Sequence, residues 1–145
     1  MKRSYLISIL YIILLNTFIF SSLFSQIKNI IIVKVGDSII TSIDLQNEII
    51  TNLIINNREI NQENINNNKN FSLKSLVNKT IKKNEIKKYG ISNYSKIDLE
   101  KYIENVTKNL NTNKNGLKQI FKNSNADYSI FVEKRILDLL WNTLI

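Results

Sequence analysis

The stretch IIIVKVGDSIITSIDLQNEI, Ile30 to Ile49, is the feature that most limits what this chain can fold into. Ile30 to Val35 is rich in β-branched residues, and Gly36-Asp37 supplies residues that tolerate positive φ in a two-residue turn. Ser38 to Thr41 then returns as a second strand. Two strands alone are marginal in water, so the hairpin needs a cover. The next residues provide one. Thr41 and Asp44 stand in capping-box spacing, with Asp in place of the usual Glu or Gln, and Leu45, Ile49, Ile50 and Leu53 form a helical stripe.

Past this unit the periodicity is helical. The stretch NNREINQENINNNKN, Asn56 to Asn70, is too poor in apolar residues to fix itself in a core, and it reads as a polar, Asn-rich loop over 56–70. A second helix is predicted from about Ser72 to Tyr89, with Leu73, Leu76, Val77 and Ile81 on one side and Gly90 as its stop. Its stripe drifts after Asn84, which predicts a more exposed C-terminal end. Ser95 with Asp98 opens a third helix, where Leu99, Tyr102, Ile103, Val106 and Leu110 give the cleanest amphipathic pattern. A short helix over Leu117 to Asn123 and a last one capped by Asp127 follow. The expectation is a mainly α protein in which a short N-terminal hairpin precedes about five helices.

With Pro 0, Gly 3 and Cys 0, such a fold has few breakers and is held by packing alone. A composition of 43% hydrophobic and 22% charged residues argues against a wholly disordered chain. The formal charge of +8 suits nucleic acid, anionic lipid or acidic polypeptide. Its distribution favours a solvated surface: the densest run, KTIKKNEIKK from Lys79 to Lys88, is interrupted by Glu85. The abundance of Asn, Ile and Lys also matches an AT-rich coding bias, which raises the charge without any partner.

The N-terminus MKRSYLISILYIILLNTFIFSSLFSQ has a cationic start at Lys2 and Arg3, an apolar run from Tyr5 to about Phe20, and small polar residues at Ser21, Ser22 and Ser25. That order is a signal peptide over 1–25, cleaved after Ser25, although Leu23 is large for its place before the cut. Tyr5 to Phe24 also approaches the length that spans a bilayer, interrupted by Asn16 and Thr17, so a retained signal anchor is the alternative. Either way the rest of the chain is expected outside the cytoplasm, with no nucleic-acid partner. Without cysteine there is no lipobox.

Histidine and cysteine are both absent, which excludes Ser-His-Asp and Cys-His nucleophilic sites and imidazole or thiolate metal centres. Glu100 and Glu104 are spaced one helical turn apart, but such a pair is ordinary on a solvated face. Gly36, Gly90 and Gly116 are too isolated to build a phosphate loop. No catalytic residue, cofactor or metal is expected. The last helix is the informative one: RILDLLWNTLI places Ile136, Leu137, Leu139, Leu140, Trp141, Leu144 and Ile145 around most of its circumference. Such a helix is either central to a core or keeps part of its apolar surface for another polypeptide.

The order of hairpin, helix, polar segment and further helices resembles the N-terminal domain of SurA-like periplasmic chaperones and peptidyl-prolyl isomerases. The residues that carry the resemblance are IIIVKVGDSIITSIDLQNEI, with Ile40-Thr41 and Asp44-Leu45 at its end, and LVNKTIKKNEIKKYGI, IDLEKYIENV and ADYSIFVEKRILDLLWNTLI after it. It spans about 27–145. The resemblance implies a periplasmic holdase that keeps outer-membrane proteins unfolded and soluble. The family's isomerase activity resides in parvulin domains whose sites use histidine, and neither a parvulin domain nor a histidine is present, so no isomerase activity is expected of this chain. The family's domain is also completed by a returning C-terminal segment that has no counterpart here, which points to a fragment, a separately encoded partner chain, or a self-associating second copy. Expected client contacts are Ile136, Leu140, Trp141 and Ile145, with Lys83 and Lys87 attracting acidic stretches and Gly36, Asp37 and Asp44 in structural turn and cap roles. A signal-anchored, non-enzymatic envelope protein that docks on one partner is the alternative.

Overall fold

The computed structural model describes residues 29–145, so the leader and its signal-peptide or anchor reading lie outside the described residues. Strands β1 (Ile31–Val35) and β2 (Ser38–Thr41) form an antiparallel hairpin, with Val35 opposite Ser38 and Val33 opposite Ile40. Of the two turn residues only Gly36 has positive φ, at +58°, the pattern of a type II′ turn. The register shifts between Ile31 and Val33. This bulge turns Ile32 and Val33 to the same side, so that Ile32, Val33 and Val35 all pack against the protein while Ile31 and Lys34 face solvent.

Helix α1 (Ser42–Ile55) starts on the expected capping box: the Asp44 amide donates to the Thr41 hydroxyl, and the Thr41 amide donates to the Asp44 carboxylate at 2.8 Å. Helices α2 (Gln62–Lys88), α3 (Lys96–Asn109), α4 (Lys114–Asn123) and α5 (Tyr128–Leu144) follow. The mainly helical reading with a leading hairpin holds. The loop expected over 56–70 does not: it shrinks to the residues before Gln62, and 62–70 is the first part of α2. The reason lies in asparagine side chains. Asn61 caps the helix by accepting from the Asn64 amide at 2.9 Å, Asn64 donates to the Glu59 carbonyl, and Asn68 donates to the Asn64 carbonyl. Within this stretch Ile65 supplies an apolar anchor against the core.

Asparagine also ends helices. Asn57, Asn111 and Asn125 take positive φ of 52°, 49° and 52°, as does Gly90 at +64°, each just past a helix end. At all four ends the next amide reaches back to a carbonyl within the last turn, as from Arg58 to Leu53 and from Ile91 to Ile86. These are Schellman closures, made with Asn where glycine is scarce.

α1 is the centre of the protein. Its face bearing Ile50 and Ile54 packs on Leu99, Ile103 and Val106 of α3, Leu117 and Phe121 of α4, and Phe131 and Leu139 of α5. Its other face, with Leu45, Ile49 and Leu53, packs on Ile40 of the hairpin and Leu76 of α2. The last helix is therefore not the all-round buried element. In α5 Phe131, Leu137 and Leu139 are buried, while Ile136, Leu140, Trp141 and Leu144 are half-buried. Two details of the α2 expectation also change: Ile81 is 46% exposed, and Ile86 near the C-terminal end is buried.

Candidate functional site

α1 carries three polar side chains into the interior, Glu48, Thr51 and Asn52. A buried carboxylate is costly unless paired. Lys134 of α5 pairs with it: the Lys134 ammonium donates to Glu48 Oε1 and, at 3.2 Å, to Asn52 Oδ1. The Ser75 hydroxyl of α2 donates to the same Glu48 oxygen at 2.7 Å, and Asn52 Nδ2 donates to the buried Ser72 hydroxyl at 3.1 Å. Glu48 Oε2 is buried and makes no hydrogen bond. A polar seam thus ties α1, α2 and α5 together.

Beside this seam α2 and α5 line an open groove of about 580 Å³, within the ~300–1,000 Å³ typical of binding clefts. Ser75 and Lys134 belong to both seam and groove. The apolar lining comes from Phe71 and Ile81 of α2 and from Leu137 and Trp141 of α5, with Phe71 64% exposed. The charged lining is lopsided: Lys74, Lys79, Lys82 and Lys134 face one carboxylate, Asp138. Lys82 bonds Asp138 at 2.7 Å, and its ammonium also lies 6.0 Å from the centre of the Trp141 ring. Lys134 is held by Glu48, whereas Lys74 and Lys79 form no salt bridge among the described residues.

Of the four apolar residues expected at a client surface, only Trp141 lines this groove. Ile136 packs against the α3–α5 core, Leu140 is half-buried, and Ile145 is 84% exposed at the chain's last position. Lys83 bonds Glu133 at 2.9 Å, which holds the Glu133 carboxyl below the usual range for glutamate. Lys87 lies beside Gly36 and Asp37 in a separate shallow recess. Neither lysine lines the groove. Glu100 is bridged to Lys114 and is not part of any acid pair in a cleft. Asp44 and Gly36 take the cap and turn roles given to them.

Sequence reasoning missed Phe71, Lys74 and Lys134, and with them the seam at Glu48. A signal was present in NEIITNLII, where Glu48 and Asn52 stand one turn apart inside an otherwise apolar run. Among the described residues no helix is long and apolar enough to cross a membrane, and no cluster of His, Cys, Asp or Glu could hold a metal ion. Compared with protein-family models, curated proteins and solved structures, the chain matches none.

Proposed function

We propose that this protein is an exported, non-catalytic holdase that binds unfolded polypeptides, outer-membrane proteins among them, in the manner of the N-terminal domain of SurA-like chaperones. The observation that carries the reading is the groove between α2 and α5, where Phe71, Ile81 and the half-buried Trp141 offer apolar surface to solvent over a floor that includes the buried Leu137. Burial of apolar surface is non-directional, so such walls hold many sequences with little stringency. The export leader over 1–25 supports a periplasmic site of action. Parvulin sites of those chaperones use histidine, and this chain contains none, so the proposed activity is holding without isomerisation.

Residues 27–145 omit the leader and keep all the described residues, including both hydrophobic clusters found among them, so this segment is used for the test. At stoichiometric amounts it is expected to suppress aggregation of a urea-unfolded outer-membrane protein on dilution, measured by light scattering. In the same preparation it is expected to leave prolyl isomerisation of a model peptide at its uncatalysed rate. A cooperatively folded sample that leaves the scattering unchanged overturns the proposal.

A further inference from the structure

The groove also constrains its occupant. Along α5 its lining falls at Lys134, Leu137, Asp138 and Trp141, and along α2 at Phe71, Lys74, Ser75, Asn78 and Lys82, with Lys79 and Ile81 at the two edges of that face. Both sets follow helical i, i+3, i+4, i+7 spacing, so each wall is one continuous helix face. A third helix laid between two such faces places its own apolar stripe on Phe71, Ile81, Leu137 and Trp141. Its flanks then meet lysines: neither Lys74 nor Lys79 forms a salt bridge among the described residues, although Lys79 lies close enough to Glu133 to help hold that carboxyl low. A basic helix would set like charges against them, and an acidic one would be attracted.

We infer that the α2–α5 groove binds an acidic amphipathic segment of another polypeptide, held as a helix with its apolar stripe on Trp141 and Phe71 and its carboxylates on Lys74 and Lys79. The inference rests on the groove being the polypeptide-binding surface and adds the charge and shape of what it takes. The chain's own leader, which opens with Lys2 and Arg3, has the wrong charge for this place.

Trp141 is the chain's sole tryptophan, so its emission reports on the groove directly. The probe is a synthetic peptide of about 16 residues, about four helical turns, with Leu and Phe at helical spacing and Glu between them. Two controls accompany it, one with Lys in place of Glu and one with the acidic sequence shuffled. The acidic amphipathic peptide is expected to shift Trp141 emission and to bind about tenfold more tightly than either control at low salt, with the preference shrinking as salt is added. The K74E/K79E variant, checked for an unchanged unfolding midpoint, is expected to reverse the preference between the acidic and basic peptides. Equal affinity for the three peptides overturns the inference, as does an unaltered preference in K74E/K79E. A Trp141 shift that grows with protein concentration without peptide also overturns it, because a second copy then fills the groove. A protein that suppresses aggregation yet does not discriminate the peptides keeps the holdase reading and loses this one. Selective peptide binding without suppression does the reverse.

Discussion

The two sides of α1 are built differently. On the side of α3, α4 and α5 the core is closed and aromatic: Leu117 and Phe121 are fully buried, and Phe121 and Phe131 approach with ring centroids 5.2 Å apart, with Tyr102 and Tyr128 on Phe131 at 5.8 and 5.6 Å. On the side of the hairpin and α2 the aliphatic cluster is smaller, a polar seam runs through its margin, and the surface above opens into a groove. Dispersion and burial on the closed side depend on many simultaneous contacts, so a lost side chain leaves a void. On the open side Phe71 and Ile81 have few neighbours to lose. Stability and apolar exposure are therefore assigned to different places: the closed core on one face of α1, and the outer surface of α2 and α5 beyond the polar seam.

The sharpest way to break this contrast is to hollow out the closed side. Phe121→Ala removes a side chain with no exposure and is expected to cost about 3–5 kcal/mol, read as a lower urea midpoint. A loss under about 1 kcal/mol would mean that the aromatic cluster is not the stabilising half.

The seam on the other side comes next. Lys134→Met strands the buried Glu48 carboxylate, and because the Lys134 side chain keeps 24% exposure the expected cost is near the lower end for a broken buried pair, about 3 kcal/mol. Adding Glu48→Gln removes the stranded charge, so the double variant is expected to be more stable than Lys134→Met alone. If the double variant is instead the weaker of the two, the seam is held by geometry and not by charge pairing.

Smaller is the effect of the α5 N-terminus. Asp127 accepts from the Ser129 amide at 2.7 Å, and hydrogen bonding from Ser129 holds its carboxyl below the ordinary aspartate range. Asp127→Ala is expected to cost about 1 kcal/mol. Both Asp127 and Glu133 have lowered folded values, so the unfolded chain binds protons more readily than the folded one. The stability they supply is complete above the unfolded carboxylate range, about pH 4–4.5, and is lost as pH falls through the folded values. Asp127→Asn keeps a capping oxygen but does not titrate, so its acid unfolding profile is expected to be shallower than that of the parent. An identical profile would remove Asp127 from the account.

These residues also show what a reader of the sequence can see. The hairpin, the Thr41–Asp44 box, the Gly90 stop and the Asp127 cap are written in residues at most ten positions apart, and local chemistry decides them. The start of α2 was hidden because its Asn-rich stretch has the composition of a loop, while its helical state depends on Asn61, Asn64 and Asn68 reaching particular carbonyls and amides. The central place of α1 was hidden by Glu48 and Asn52, which look like surface residues until Lys134, 86 positions from Glu48, comes to meet them. The groove needs the same long-range approach: Trp141 was visible as surplus apolar surface, but Phe71 gains meaning only opposite it.

The smallest expected change in stability is the one that bears most on function. Phe71→Ser alters a side chain 64% exposed and is expected to leave the urea midpoint within about 0.5 kcal/mol of the parent. Because the substitution removes a large part of one apolar wall of the groove, aggregation suppression is expected to fall by several-fold at the same protein concentration. The closed side supplies the control: Phe121→Ala at a temperature where it remains folded should suppress aggregation as well as the parent. Phe71→Ser with full suppression would separate exposure from binding and place the client surface elsewhere, while equal losses in both variants would mean that suppression follows overall stability and not the groove.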